Sequence, residues 1–258
     1  MSSTEAADDF RRFSYAELEA ATAGFSPVNK IGRGGFGDVF RGALSDGTAV
    51  AVKRIKEAAL LNRNSDTVLA AFLEEARLMG VASQGNAANV AGGHWPLLPL
   101  LGICAKDTTQ LCLVTPRMAR GSLAEHIGHP EGTLTSGRLR VAAALDAARG
   151  VAALHALRPR LLHRDIKPEN VLLDEGRRAY VADYGLSRLL TGDATSMVTG
   201  GVYGTPGYVA PETLALGRYS VKVRGDSDWG DRGKEGGGVL SSLRGTTGYF
   251  VRNLHQKQ

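Results

Sequence analysis

Gly32-Arg33-Gly34-Gly35-Phe36-Gly37 runs without a break into Asp38-Val39-Phe40-Arg41-Gly42 and then, after a short polar interval, into Val50-Ala51-Val52-Lys53. Glycines at this spacing let a backbone press close to a phosphate and offer its N–H groups, because no Cβ stands in the way. The six residues do not discriminate by themselves, since a dinucleotide-binding loop has the same spacing. The residues next to them decide. A dinucleotide-binding loop opens a helix, whereas Asp38–Gly42 reads as a strand and Asp46-Gly47 as a hairpin signal into a second strand, Thr48–Ile55. The glycines therefore sit in a strand-flanked hairpin, and a dehydrogenase reading is set aside.

Working outward, residues 1–12 form a charged leader. Ser14 followed by Glu17 is a capping-box pattern for a short helix over Tyr15–Ala23, stopped by Gly24. A further strand is expected at Asn29–Ile31. Thr67–Met79 is helical, with Val68, Phe72, Ala76 and Met79 at three- and four-residue steps. Val81–Gly93, rich in Gly, Ala and Asn, reads as an inserted loop. Leu97–Cys104 and Gln110–Thr115 read as a strand pair. Beyond Gly121 the character turns helical, with Leu123–Ile127 and a long Ala-rich helix over Gly137–Leu157. Short strands are expected at Val171–Leu173 and Tyr180–Val181, then a loop over Asp183–Glu212. Strands with one helix, then mostly helices, predict an α+β protein in two lobes. From Val221 onward the periodicity is lost among Gly225, Gly230, Gly233, Gly236, Gly237 and Gly238, and loose coil or disorder is expected.

Bulk properties narrow the function class. A chain of 258 residues can bury a sizeable core. The net charge of +5 is spread along the chain, so neither nucleic-acid nor membrane-surface binding is indicated. No apolar run approaches the ~20 residues that span a bilayer. Cys104 and Cys112 lie in apolar runs and read as buried thiols, which together with the absence of a secretory leader predicts a cytoplasmic protein. The surroundings of His94, His126, His129 and His155 show no metal-ligand spacing, and these histidines read as structural.

The second half carries His163-Arg164-Asp165-Ile166-Lys167-Pro168-Glu169-Asn170, then Asp183-Tyr184-Gly185, then Gly204-Thr205-Pro206-Gly207-Tyr208-Val209-Ala210-Pro211-Glu212. With the glycine hairpin and Val50-Ala51-Val52-Lys53, these motifs resemble, in order, those of a eukaryotic protein kinase catalytic domain. Arg12-Phe13-Ser14-Tyr15-Ala16-Glu17-Leu18, Leu100-Leu101-Gly102-Ile103-Cys104 and Gly121-Ser122-Leu123 are similar to segments of the receptor-like/Pelle group of serine/threonine type. The resemblance covers roughly residues 10–222.

That resemblance implies a two-lobed kinase fold, with ATP and Mg²⁺ as cofactors and proteins bearing Ser/Thr hydroxyls as substrates. Lys53 would hold the α- and β-phosphates, oriented by Glu74 or Glu75, of which Glu75 fits the family spacing better. Asp165 would orient the substrate hydroxyl, Lys167 would neutralise the transferring phosphoryl group, and Asn170 and Asp183 would ligate the metal. Ile31, Gly32, Gly34, Gly35, Phe36, Gly37, Val39, Ala51, Thr115, Pro116, Met118 and Leu172 would line the nucleotide site, with Thr115 as gatekeeper and Pro116-Arg117-Met118 as hinge. Tyr184 stands where the family usually has Phe. Thr205 would bridge Asp165 and Lys167. Arg164 implies regulation by phosphorylation of Thr191, Thr195, Ser196 or Thr199, and with it a receptor or an upstream kinase as partner and a membrane association through that partner.

The implied organisation is a juxta-kinase segment (1–26), an N-lobe and hinge (27–118), a partial C-lobe (119–222) and a glycine-rich tail (223–258). Beyond Lys222 the family continues with a buried helix opened by a Ser-Asp pair, which Asp226-Ser227-Asp228-Trp229-Gly230 matches only in outline. The C-lobe is therefore expected to be incomplete. A kinase-like fragment serving as a nucleotide-binding or interaction module stays open beside the enzyme.

Overall fold

The computed structural model describes residues 10–34, 37–56, 65–83, 94–106, 109–127 and 137–221. The glycine-rich tail expected to be disordered, Gly35, Phe36 and most of the inserted loop lie outside the described residues. The chain divides into two compact units, Met1–Asn89 with Leu97–Ala119, and Val90–Pro96 with Arg120–Gln258.

The first unit is built on a six-stranded sheet. Its strands are β1 (Arg11–Arg12), β2 (Lys30–Arg33), β3 (Gly37–Ala43), β4 (Ala49–Ile55), β5 (Gly102–Ala105) and β6 (Leu111–Pro116), in the order β1-β5-β6-β4-β3-β2. The β3–β4 hairpin closes on Asp46-Gly47, where Gly47 takes a positive φ of 85° and the Asp46 carboxylate accepts from the Thr48 N–H at 2.8 Å. β1 has no counterpart among the expected strands: the end of the charged leader adds in parallel to the outer edge of β5. Helix α1 (Tyr15–Ala21) begins at Ser14, whose hydroxyl accepts from the Glu17 N–H at 3.1 Å. Only half of the expected capping box forms, because the Glu17 carboxylate turns to Arg11 at 2.6 Å.

Strand periodicity sorts the two faces of this sheet. Val50 and Val52 of β4 join Phe40, Cys104, Cys112 and Val114 in a core that α1 covers with Leu18, together with Phe13 and Phe25. Arg54 keeps to this same face, stacked 4.4 Å over Phe25. Ala51 and Lys53 alternate to the opposite face. Helix α2 (Ser65–Ser83) extends the expected helix at both ends and buries Val68, Phe72, Ala76 and Met79, the four residues its periodicity singles out.

The second unit is organised by α3 (Gly137–Ala156), which buries Ala143, Ala144, Ala147, Ala148, Gly150, Val151 and Leu154. The alanines and Gly150 among them let a backbone approach closely, and the hairpin of β8 (Val171–Leu173) and β9 (Ala179–Val181) packs against this helix through β9. His94 packs against this hairpin, its Nε2 3.1 Å from the Ala179 carbonyl and 3.6 Å from Asp146. Leu123–His126 is a single 3₁₀ turn. The segment expected to be one long loop carries order of its own. β10 (Arg188–Leu189) pairs with β7 (Leu161–Leu162), β11 (Ser196–Val198) pairs with β12 (Arg218–Ser220), and α4 (Pro211–Leu216) lies between β11 and β12 in the chain.

This packing leads to two expected outcomes. Leu18→Ala removes a side chain with no exposed surface from beneath the sheet, and should cost about 2–5 kcal/mol in urea unfolding. His155 is held neutral by burial and by the neighbouring His163, which push its pKa down to about 4. The unfolded chain protonates this group near 6.5, so its contribution to stability is lost as pH falls from about 6.5 towards about 4, then levels off. An imidazole NMR titration should place the His155 midpoint near 4, and a midpoint near 6.5 would contradict the packing.

Candidate active site

In the first unit, β-sheet register assembles the candidate residues. Val39 stands opposite Lys53 on the neighbouring strand, Lys53 opposite Leu113, and Ala51 opposite Thr115. Cross-strand partners share a face, so Val39, Ala51, Lys53 and Thr115 lie together on the face away from the α1 core. Lys53 Nζ donates to Glu75 Oε1 at 2.7 Å, while the adjacent Glu74 turns to Arg77 at 2.8 Å. The choice between the two carboxylates is thus made by helical phase. Glu75 is buried on the sheet side of α2, and the ion pair fixes an ammonium that would otherwise wander on a four-carbon stem.

The glycine hairpin is held by contacts that sequence reasoning missed. Lys56, one residue past β4, donates to the Gly34 carbonyl at 2.7 Å, and Asp38 on β3 pairs with Lys30 on β2 at 2.7 Å. A Cβ on Gly37 would come within 2.7 Å of the Arg54 carbonyl, so the close strand approach there demands glycine. Ile31 and Gly32 lie on β2, and the Gly34 N–H closes the hairpin onto the Gly37 carbonyl at 2.7 Å. Pro116 ends β6, with Met118 two residues beyond it, and the Arg117 N–H donates to the Ala49 carbonyl at 3.1 Å.

In the second unit the centre is Asp165. Its Oδ1 accepts from the Thr205 N–H at 2.9 Å and from the Thr205 hydroxyl at 2.7 Å. Its Oδ2 lies 2.8 Å from Lys167 Nζ and accepts from Asn170 Nδ2 at 3.1 Å. Lys167 also donates to the Thr205 hydroxyl at 2.7 Å, closing a ring of three side chains. Asn170 ends the 3₁₀ turn that enters β8, and Asp183 lies just beyond β9. The pairing of Val171 with Val181, together with the Ala182 N–H donating to the Asn170 carbonyl at 2.9 Å, brings these two residues off the same end of one hairpin. Leu172 sits on β8 opposite Tyr180.

Two of these residues adopt left-handed backbone, Arg164 at φ 68° and Asp183 at φ 65°. Such conformations are uncommon for side-chain-bearing residues and gather where the surroundings hold them for a task. His163 is the local brace, another residue sequence reasoning passed over. Its Nε2–H donates to the Ala182 carbonyl at 3.0 Å and its Nδ1 accepts from the Asp165 N–H at 3.3 Å, which specifies the neutral tautomer. Burial is the largest influence on it and lowers its pKa.

The phosphorylation candidates behave differently from one another. Thr191 and Ser196 are exposed, whereas the Thr199 hydroxyl donates to the Gly201 carbonyl at 2.5 Å. Arg164, expected to meet a phosphate, donates from Nε to the Leu186 carbonyl at 2.5 Å and lies under two tyrosine rings.

Residues 25–227 match the family described as "Protein kinase domain". This chain belongs to the protein kinase domain family. The match ends at 227, five residues past the expected break at Lys222. Over 216 residues the chain is 40% identical to "LRR receptor kinase SERK2" of Oryza sativa subsp. japonica, an alignment covering 83% of this chain and 33% of that protein. The kinase chain thus spans about a third of the length of that relative. A protein kinase domain implies, in general, ATP and a divalent metal.

Tyr184, in the position usually held by Phe, has no exposed surface, and its hydroxyl reaches only the Val181 carbonyl at 3.5 Å. A contact that long returns little of the hydroxyl's desolvation cost. Tyr184→Phe should therefore leave stability within about 0.5 kcal/mol or raise it, as read by urea unfolding. A loss above about 2 kcal/mol would mean that the hydroxyl is well bonded.

Proposed function

We propose that this chain transfers the γ-phosphoryl group of ATP to serine or threonine hydroxyls of protein substrates. The observation that carries the reading is the ring of Asp165, Lys167 and Thr205, with Asn170 closing its far side. A carboxylate held by several donors is fixed in direction, which is what aiming a substrate hydroxyl requires. In the reaction, the hydroxyl oxygen forms a bond to the γ-phosphorus while the bond from that phosphorus to the β–γ bridging oxygen breaks. The hydroxyl proton passes to Asp165, and ADP leaves with the bond's electron pair. Lys167 offsets negative charge on the phosphoryl oxygens. Lys53, oriented by Glu75, holds the α- and β-phosphates.

The residues present fit Mg²⁺. No group of three or more His, Cys, Asp or Glu side chains suited to a metal occurs among the described residues. An ion that takes one or two protein oxygens and completes its shell with water and phosphate needs no such cage. Asn170 directs its amide nitrogen at Asp165, which leaves its amide oxygen for the metal, and Asp183 supplies a carboxylate. When bound, the metal neutralises phosphate charge.

Lys167 two residues after Asp165, and Thr205 on both of them, support Ser/Thr acceptors over tyrosine. The proposal includes a cytoplasmic site of action and a receptor or upstream kinase as partner. No described helix is long and apolar enough to cross a membrane.

The test is a radiolabelled phosphotransfer assay on casein, run beside a thermal-shift titration with MgATP. Asp165→Asn should lower the turnover number by about 10²-fold or more while the MgATP-induced shift persists. Asp183→Ala should abolish the shift itself. A wild-type chain that shifts with MgATP and transfers no phosphate would support the nucleotide-binding module in place of the enzyme.

A further inference from the structure

The loop over residues 183–212, here called the activation segment, is held next to Thr205 by Tyr219, a residue outside every motif of the candidate site. Tyr219 lies in the middle of β12, 5% exposed, in a small core with Leu162 and Leu190 against which Ala194, Met197 and Val221 pack. Its register partner on β11 is Met197. The phenol hydroxyl uses both of its capacities on one residue. It accepts from the Tyr203 N–H at 2.5 Å and donates to the Tyr203 carbonyl at 2.7 Å. A reciprocal pair of this kind holds a backbone unit in place much as a strand partner would.

The chain on either side of Tyr203 gives the contact its meaning. The next residue, Gly204, has φ 116°, and a Cβ there would meet the Arg164 carbonyl at 2.8 Å, so the segment passes in contact with the loop over residues 163–170 that carries Asp165, the proposed catalytic loop. Thr205 comes next and places its N–H and hydroxyl on Asp165. From the other side, the Arg164 guanidinium lies 4.8 Å from the Tyr203 ring centroid and 5.4 Å from that of Tyr219. Both rings offer it π faces, an attraction that needs no anion. Arg164 is also the residue immediately before Asp165.

We propose that Tyr219 is a positioning residue for phosphotransfer: through the Tyr203 backbone and the Arg164 guanidinium it holds Thr205 on Asp165 without a phosphate on the activation segment. This rests on the proposed kinase activity. It differs from the expectation attached to Arg164, in which a phosphorylated Thr or Ser would supply the partner. In this chain the rings of Tyr203 and Tyr219 face the Arg164 guanidinium, while the Tyr219 hydroxyl holds the Tyr203 backbone. The strap is reinforced where the Thr199 N–H donates to the Gly217 carbonyl at 3.1 Å and the Val221 N–H to the Thr195 carbonyl at 2.9 Å.

The experiment uses the full 258-residue chain, treated with a protein phosphatase and compared with untreated protein and with Tyr219→Phe. That variant keeps the ring in its core and over Arg164 but deletes both hydrogen bonds to Tyr203. Cleavage by chymotrypsin after Tyr203, tracked by mass, should be about ten-fold faster in Tyr219→Phe and unchanged by phosphatase in the wild type. Phosphotransfer to casein should lose about ten-fold in kcat with the KM for ATP unchanged, because Thr205 and Asp165 drift while the nucleotide contacts stay. Loss of folded enzyme alone would also lower the apparent kcat at constant KM, so kcat is referred to the folded fraction read by urea unfolding of each protein. Equal cleavage rates in variant and wild type, or a collapse of the wild type on phosphatase treatment, would overturn the proposal.

Hydrogen exchange on the wild type alone provides a check that needs no variant. The Tyr203 amide should exchange at least about ten-fold more slowly than that of Val202, and an unprotected Tyr203 amide would overturn the latch. If the wild type transfers no phosphate at all, the activity reading fails, while cleavage and exchange still decide whether Tyr219 holds the segment.

Discussion

A carboxylate with 8% of its surface exposed has to be compensated, and the way Asp165 is compensated organises the second unit. Burying an ionised group without partners costs several kcal/mol, more than most single contacts return. Asp165 meets the requirement with four donors from three residues: Lys167, Asn170 and the backbone and hydroxyl of Thr205. The donors arrive on two pieces of chain. Lys167 and Asn170 come from the loop that carries Asp165 and the 3₁₀ turn that ends it, and Thr205 from the segment that leads into α4. Satisfying one charge therefore draws two distant segments to a common point. The same contacts that lower the cost of burial fix the direction of the carboxylate, so in the proposed reaction stability and chemistry would rest on one network.

The first unit solves a parallel problem with a sheet. Lys53 needs to be held but kept out of the apolar core, and strand alternation does this: Val50 and Val52 go into the core, Ala51 and Lys53 to the other face. The ion pair with Glu75 then depends on α2 presenting one carboxylate and not its neighbour. A helical step of one residue rotates a side chain by about 100°, which is why Glu74 ends on Arg77 while Glu75 is buried. Helical phase decides between two chemically identical candidates.

Much of this is legible from sequence because the contacts join motifs whose order and spacing can be read off the chain. Lys53 and Glu75 are 22 residues apart, and Asn170 and Asp165 are 5 apart. The β8–β9 hairpin brings Asn170 and Asp183 together by register alone. Motif spacing encodes such geometry directly, and the strand–glycine–strand order around Gly32–Gly37 separates this fold from a dinucleotide-binding one. The losses have equally specific causes. β1 escapes a sequence reading because two arginines in a charged leader carry no strand signal, and their pairing is supplied by the exposed edge of β5. The order in the activation segment escapes it because β10, β11 and β12 are strands of two or three residues, too short to show a period.

Tyr219 marks the limit of that encoding most clearly. Nothing in Gly217-Arg218-Tyr219-Ser220 distinguishes a functional tyrosine from a core one, and by burial it is a core residue. Its meaning comes from what the fold brings to its hydroxyl: the backbone of a residue 16 positions earlier, itself two residues from Thr205. A phenol buried as far as its ring and bonded only at its tip can fix a loop more tightly than a flexible side chain can, because few rotors must be frozen to make the contact. The same tyrosine ring gives Arg164 a partner whose attraction is independent of phosphorylation state. A catalytic loop whose arginine is satisfied in this way can hold its shape at the cost of one of the handles by which the segment could be regulated.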